Sequence, residues 1–210
     1  MTEVEVWWGR IGQVRAEFIG DLDPVERQRH QAYVQPQDKA RFLLGCTIVR
    51  RVLARRLALP AASISLDRTC PDCGKPHGKV RADGVELSVT HSGDLVGVAV
   101  SDRPVGLDVE KIDPALDVDG VARLSLAEEE LEALSRHDDR ARAFTTYWTR
   151  KEAVVKATGA GLREDLRTIT GVPTGMQVIE LTVDPGYSAA LAIVSPEPPV
   201  IRSRSVQVLI

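Results

Sequence analysis

Val85-Glu-Leu-Ser-Val-Thr-His-Ser-Gly-Asp-Leu-Val-Gly-Val-Ala-Val-Ser-Asp-Arg-Pro-Val-Gly-Leu-Asp-Val-Glu-Lys-Ile112 carries three strand signals in quick succession. The Val- and Leu-rich runs are Val85–Thr90, Leu95–Ser101 and Pro104–Ile112. Gly93-Asp94 separates the first two and Asp102-Arg103-Pro104 the next two, both good turn chemistry. Connections this short join antiparallel strands. Within the third run, Val105-Gly-Leu-Asp-Val-Glu110, successive side chains alternate faces. Val105, Leu107 and Val109 therefore share one face, and Gly106, Asp108 and Glu110 share the other. Two carboxylates two residues apart on one strand face converge, and a hard cation such as Mg²⁺ takes oxygen ligands of this kind. Gly106 is expected to leave room beside them. The plainer reading is an amphipathic strand with a solvated acidic face.

Working outward, Val4–Trp8 reads as an opening strand. Asp23-Pro24 starts a polar helix, with Asp23 as N-cap and Pro24 at the first helical position. Pro36 begins a longer helix, in which Phe42, Cys46, Val49, Leu53 and Leu57 recur at helical steps and predict one buried face. Arg41, Arg50, Arg51, Arg55 and Arg56 are then expected on its surface. Beyond the three strands, Ser125-Leu-Ala-Glu128 has the pattern of a capping box opening an acidic helix. Asp138-Asp139 precedes a long helix through about Ala157, closed by Gly159 and Gly161. The tail is β-rich at Val178–Val183, Ser188–Val194 and Ile201–Leu209, with Asp184-Pro-Gly186 as its first turn. Each half offers helical material and then antiparallel strands. The expectation is an α+β fold of two similar lobes related by pseudo-two-fold symmetry, 1–103 and 104–210, with a site at their interface.

The chain has 210 residues with a formal net charge of −3, 43% hydrophobic and 27% charged residues. This is ordinary globular composition and enough chain to bury a core without staples. The longest apolar stretches, Leu95–Val100 and Ala189–Val194, fall far short of a membrane span. Met1-Thr-Glu-Val-Glu5 lacks the basic and apolar regions of a secretory signal. With three Cys, a reduced cytoplasmic protein is expected. A net charge near zero gives no argument for bulk nucleic-acid binding, so an anionic ligand needs a local basic site.

Other segments carry chemistry. In Trp148-Thr-Arg-Lys-Glu-Ala-Val-Val-Lys156, Glu152 and Lys156 stand at i,i+4 on one helix face. Glu152 suits a third metal ligand or a base and Lys156 a phosphate contact; an ordinary surface ion pair is the plainer alternative. Tyr147 and Trp148 read as core anchors. Ser88-Val-Thr-His-Ser-Gly93 places hydroxyls and an imidazole at a strand end, suited to phosphate oxygens or simply to a polar turn. Gly74-Lys75-Pro76 is a turn or a rigid ligand-facing loop. Cys70-x-x-Cys73 is half of a zinc site, with His77 as a possible third ligand, but no second pair completes it. Nucleophile-elbow, Walker, dinucleotide and zinc-protease motifs are absent.

Taken together these segments resemble the 4′-phosphopantetheinyl transferases, in the two-lobed, monomeric branch that activates peptide and polyketide synthases. Arg41-Phe-Leu-Leu-Gly45, Gly74-Lys-Pro76, Ser88-Val-Thr-His-Ser92, Val105-Gly-Leu-Asp-Val-Glu110 and Trp148–Lys156 occur in family order. Gly159-x-Gly161-Leu162 follows, and Asp184-Pro-Gly-Tyr-Ser-Ala-Ala190 looks like the closing element. The resemblance implies transfer of the phosphopantetheine arm of coenzyme A to a serine of an apo acyl or peptidyl carrier protein, releasing adenosine 3′,5′-bisphosphate. It implies Mg²⁺, with Mn²⁺ as substitute, held by Asp108, Glu110 and Glu152, and Glu152 or Lys156 as base. It places Arg29, Arg41, Gly74, Lys75, Pro76, Thr90, His91, Asp108 and Lys156 on the coenzyme A side. Residues 1–103 would then hold the nucleotide and 104–210 the metal carboxylates and catalytic helix. The protein is expected to act as a monomer, with neither nucleic acid nor membrane as partner. Two departures stand out: Thr90, where the family usually has Ser, and Glu26, where relatives often have a basic residue, so that Arg27 or Arg29 would take over. The alternative is a non-catalytic coenzyme A or carrier-protein binding module on the same fold.

Overall fold

The computed structural model describes residues 2–70, 72–76, 78–161 and 164–210. Strand β1 (Glu3–Arg10) leads through short 3₁₀ turns to α1 (Pro24–Ala32), whose N-cap Asp23 accepts the Glu26 N–H at 2.8 Å. Helix α2 (Pro36–Leu57) ends at Ala58, the one non-glycine among the described residues with positive φ. Strands β2 (Glu86–Ser92), β3 (Leu95–Ser101) and β4 (Val105–Lys111) follow, close to the boundaries read from the sequence. Helices α3 (Val118–Ala122), α4 (Glu128–Ser135) and α5 (Arg140–Thr158) precede β5 (Met176–Glu180), β6 (Tyr187–Val194) and β7 (Val200–Ser205).

The strands form two sheets, ordered β2-β3-β1-β7 and β4-β6-β5. Pairing is antiparallel except between β1 and β7, so the last strand returns to the first sheet. Side-chain alternation assigns the layers. Trp7, Leu87, Val96, Val98 and Val100 pack with α2, whereas Val4, Val6 and Ala99 pack against Val105, Leu107, Leu191 and Ile193 of the second sheet. The opposite face of that second sheet, with Ala190 and Ala192, packs on Ala153 and Ala157 of α5. The order is α2, first sheet, second sheet, α5: an α+β fold with one long helix on each sheet, as expected.

Three local expectations are corrected. Arg50 is not on the surface of α2 but 0% exposed. Its guanidinium pairs with Glu26 and Asp23 and donates to the Ala61 and Ile64 carbonyls, each at 3.0 Å. Glu26 also accepts from Arg68 at 2.9 Å and is 1% exposed, so it is a buried structural acid rather than a displaced phosphate ligand. A buried charge persists only when paired in this way. Leu57, assigned to the buried face, is 47% exposed because the helix end projects beyond the core. Finally, α4 is capped at Ala127, whose N–H donates to Glu130, while the Ser125 hydroxyl bonds back to the Val121 carbonyl.

Gly106 reveals how closely α5 lies on β4. A Cβ there would stand 1.9 Å from the Ala153 carbonyl oxygen and 2.5 Å from the Ala157 nitrogen. The glycine therefore admits the helix backbone rather than making room for a ligand. Gly106→Ala is expected to lift α5 and cost about 1–3 kcal/mol, the usual range for overpacking. Denaturant unfolding measures this, and an unchanged midpoint would contradict the close approach.

Candidate active site

The small residues Gly106, Ala153 and Ala157 bring the Glu152–Lys156 edge of α5 beside the carboxylate face of β4. Asp108 is 2% exposed, so this face is covered rather than solvated. The Lys156 ammonium donates to Asp108 Oδ1 at 2.6 Å, and the Thr90 hydroxyl donates to the same oxygen at 3.1 Å. Among the described residues Asp108 Oδ2 is buried without a hydrogen-bond partner. Glu110 is half-buried and accepts from the Ser92 hydroxyl at 2.7 Å. Burial pushes its carboxyl pKa up, the Ser92 bond pulls it down, and the Asp108 charge pushes it up further. Glu152 is raised as well, by burial first, against the pull of Lys156 and with the push of Asp108. The three acids thus feel one another, although among the described residues no three His, Cys, Asp or Glu groups are already drawn together as a metal site.

The two sheets meet at this point through β2 and β4. Ser88, Thr90 and Ser92 accept the backbone N–H groups of Leu107, Val109 and Lys111 at 2.9, 3.1 and 3.0 Å. Beyond the junction, Gly93 turns with φ +55°, and a Cβ there would lie 2.5 Å from the Tyr187 hydroxyl oxygen. That hydroxyl donates to Asp94, which Arg10 also holds at 2.6 Å, so the β2–β3 turn is clasped to the start of β6.

The basic residues gather on the first-lobe side. Arg41 donates to the Gly93 carbonyl at 2.7 Å and to Asp38 at 2.6 Å. His91 reaches solvent, and its pKa is lowered by desolvation of its ring and then by the charges of Arg41 and Lys156. Arg29 stacks 5.0 Å over Phe42 and donates to the Pro76 carbonyl at 2.8 Å, which joins α1 to the exposed Gly74-Lys75-Pro76 loop. A cleft of about 450 Å³ runs between the 78–81 segment and the end of α5, with Arg68, Lys79, Ser88, Glu152 and Lys156 in its wall.

Sequence reasoning missed Lys79. Its ammonium donates to the Lys156 carbonyl at 2.9 Å and the Val105 carbonyl at 3.3 Å, binding the cleft's rim to the C-terminal end of α5. Burial pushes its pKa down, opposed by Glu86. Nothing in a lone lysine after a glycine signals a tether that depends on two distant carbonyls. Lys151, inside the strongest motif, is also structural: it is 3% exposed and holds Glu130 at 2.6 Å and the Leu166 and Ile169 carbonyls. Tyr147 and Trp148 are half-buried against Phe144, as anchors should be.

The Cys70–Cys73 loop closes on its backbone, with the Cys70 N–H donating to Lys75 and the Gly74 N–H to Cys70, each at 2.9 Å. N–H groups of Asp72 and Cys73 hold the Cys70 thiol below its usual range. His77 lies outside the described residues, as does Leu162. The Cys70→Ser/Cys73→Ser double variant is expected to keep most of its turnover, since the zinc pattern is incomplete and phosphoryl transfer needs no thiol. Stoichiometric zinc in the purified protein, with unfolding on its removal, would overturn that.

No helix among the described residues is long and apolar enough to cross a membrane. A family model described as the 4′-phosphopantetheinyl transferase superfamily matches residues 104–201, which includes the carboxylate strand and α5. Over 197 residues the chain is 27% identical to the 4′-phosphopantetheinyl transferase Sfp of Bacillus subtilis, covering 87% of this chain and 86% of that protein. It is 28% identical to the transferase HetI of Nostoc over 194 residues, 89% of this chain and 81% of the relative. A transferase of Bacillus pumilus, psf-1, is 34% identical over 134 residues, 63% of this chain, and the match spans 56% of that protein's length. The shared segments include both long helices and the strands between them, and the chain belongs to the 4′-phosphopantetheinyl transferase superfamily, in its two-lobed branch.

Proposed function

We propose that the protein transfers the 4′-phosphopantetheine arm of coenzyme A to a serine hydroxyl of an apo acyl or peptidyl carrier protein, with a divalent cation, Mg²⁺ or Mn²⁺, at Asp108, Glu110 and Glu152. The observation that carries the reading is the bare, buried Oδ2 of Asp108, whose carboxylate acts electrostatically on Glu110 and Glu152 and holds a lysine at its other oxygen. Oxygen donors of this type suit a hard cation. Such an ion would supply charge stabilisation to the pyrophosphate oxygens when bound.

The chain's own groups divide the remaining work. In the reaction the serine oxygen bonds to the β-phosphorus, and the bridging P–O bond breaks to release adenosine 3′,5′-bisphosphate. The transition state spreads negative charge over phosphoryl oxygens, so positioning and fixed positive charge dominate. Lys156 offers its ammonium to those oxygens. Glu152, on the edge of α5 that faces the carboxylate strand, accepts the serine proton. The Lys156 ammonium is already engaged as a donor to Asp108 Oδ1 at 2.6 Å, which supports the glutamate rather than the lysine as acceptor of that proton. Arg41 and His91 hold nucleotide phosphate, with Arg29 stiffening the Gly74-Lys75-Pro76 loop on the adenine side.

The division of labour follows the chain, with 1–103 toward the nucleotide and 104–210 carrying the acids and α5, while 200–210 returns to the first lobe. That one chain would supply both sides supports action as a monomer. Intact mass of apo carrier proteins after incubation with the protein, coenzyme A and Mg²⁺ tests the reading: modified carriers gain one phosphopantetheine. Coenzyme A binding with carriers left unmodified would instead identify a non-catalytic module.

A further inference from the structure

We infer that the alternating hydroxyls of β2 form a positioning ladder for the acids of β4, and that Thr90 serves the site by orienting Asp108 rather than by touching coenzyme A. The inference rests on the reading of Asp108 and Glu110 as metal ligands. Its basis is a repeat. Ser88, Thr90 and Ser92 each accept one N–H, from Leu107, Val109 and Lys111 in turn. A hydroxyl that has accepted still has its own proton to give. Thr90 gives it to Asp108 at 3.1 Å and Ser92 to Glu110 at 2.7 Å, in each case the residue just before the N–H donor. On the Ser88 rung that residue is Gly106, which has no carboxylate. Both strands alternate with the same two-residue period, so each hydroxyl meets one residue's N–H and its predecessor's side chain. Among the described residues no backbone ladder joins β2 to β4, because each belongs to a different sheet.

Thr90 is the most committed rung. It is 4% exposed, gives its proton to Asp108, and accepts from Val109 and from Lys156 at 3.4 Å. One donor and two lone pairs are thereby used, which leaves no capacity for a phosphate oxygen. Thr90 and Lys156 both engage Asp108 Oδ1, and the oxygen left bare is Oδ2. The ladder therefore selects which lone pairs remain for a cation.

The test measures Mn²⁺ binding to the protein by electron paramagnetic resonance, without coenzyme A or carrier, for wild type, Thr90→Val, Thr90→Ser and Ser92→Ala. Outer partners of metal ligands typically change affinity by about 10–100-fold. Thr90→Val should weaken Mn²⁺ by that amount, Thr90→Ser should restore it, and Ser92→Ala should weaken it through Glu110. Valine keeps the β-branched shape, and thermal unfolding checks each fold. Ser92→Ala, at the half-buried end, tests the same device if Thr90→Val does not fold. Unchanged Mn²⁺ affinity in Thr90→Val with a raised KM for coenzyme A would overturn the inference and make the hydroxyl a phosphate contact. A wild type that modifies carriers but takes up no Mn²⁺ overturns it together with the metal assignment. Mn²⁺ binding that follows the ladder in a protein that modifies no carrier supports the ladder and removes the transfer reading.

Discussion

Asp108→Asn is expected to fold normally and to modify carrier proteins about 10³-fold more slowly than wild type. Asn keeps the shape and the hydrogen bond from Thr90 but removes the charge that faces Lys156 and, in our reading, the cation. Metal-borne charge stabilisation contributes several kcal/mol, and each 1.4 kcal/mol is about tenfold in rate. Asn is the sharper substitution. Asp108 is packed between β2 and α5, so Asp108→Ala would add a cavity to the loss of charge. Carrier modification followed by intact mass gives the rate, and thermal unfolding confirms the fold. Wild-type turnover in excess chelator, or near-normal turnover of Asp108→Asn, would remove the metal from the mechanism.

Glu152 and Lys156 share one helix edge, yet their kinetic effects should separate. In the proposed mechanism Lys156 meets the pyrophosphate in the bound substrate and in the transition state, whereas Glu152 accepts a proton only as the attack proceeds. Interactions that strengthen in the transition state act on kcat, and uniform binding acts on KM. Glu152→Gln is therefore expected to lower kcat by about 10²–10⁴-fold, the range of general-base catalysis, with KM for coenzyme A little changed. Lys156→Ala should lower kcat and also raise KM for coenzyme A. Because Glu152 is also assigned to the cation, each variant is measured at saturating Mg²⁺. Normal turnover of Glu152→Gln, with Lys156→Ala falling in kcat alone, would reverse the two roles and make the lysine the base.

The site's acids were legible because they lie on regular elements. Strand parity put Asp108 and Glu110 on one face, and helical spacing put Glu152 and Lys156 on another. Their supports were less legible. Lys79 and Lys151 work by reaching backbone carbonyls far away in the chain, and a carbonyl leaves no mark in sequence. Arg50 was misplaced for a related reason. Its position on α2 is polar by composition, and only the approach of Asp23 and Glu26 from α1 turns it into a buried ion-pair centre. Thr90 kept the hydroxyl that the family resemblance led us to expect, but the structure turns that hydroxyl inward to Asp108.

The sequence by itself determined the alternation of β2 and β4, the faces of α5, the capped start of α1, and the α+β class. All of these follow from interactions within a few residues, where the periods of 2 and 3.6 and the capping chemistry act. Only the tertiary structure decided that β2 and β4 meet as edges of different sheets, that Gly106 lets α5 descend, and that Lys156 reaches Asp108. These depend on packing between segments many residues apart. A single glycine and a few alanines set the separation of helix and sheet there, and that separation places the ammonium at hydrogen-bonding distance from the carboxylate.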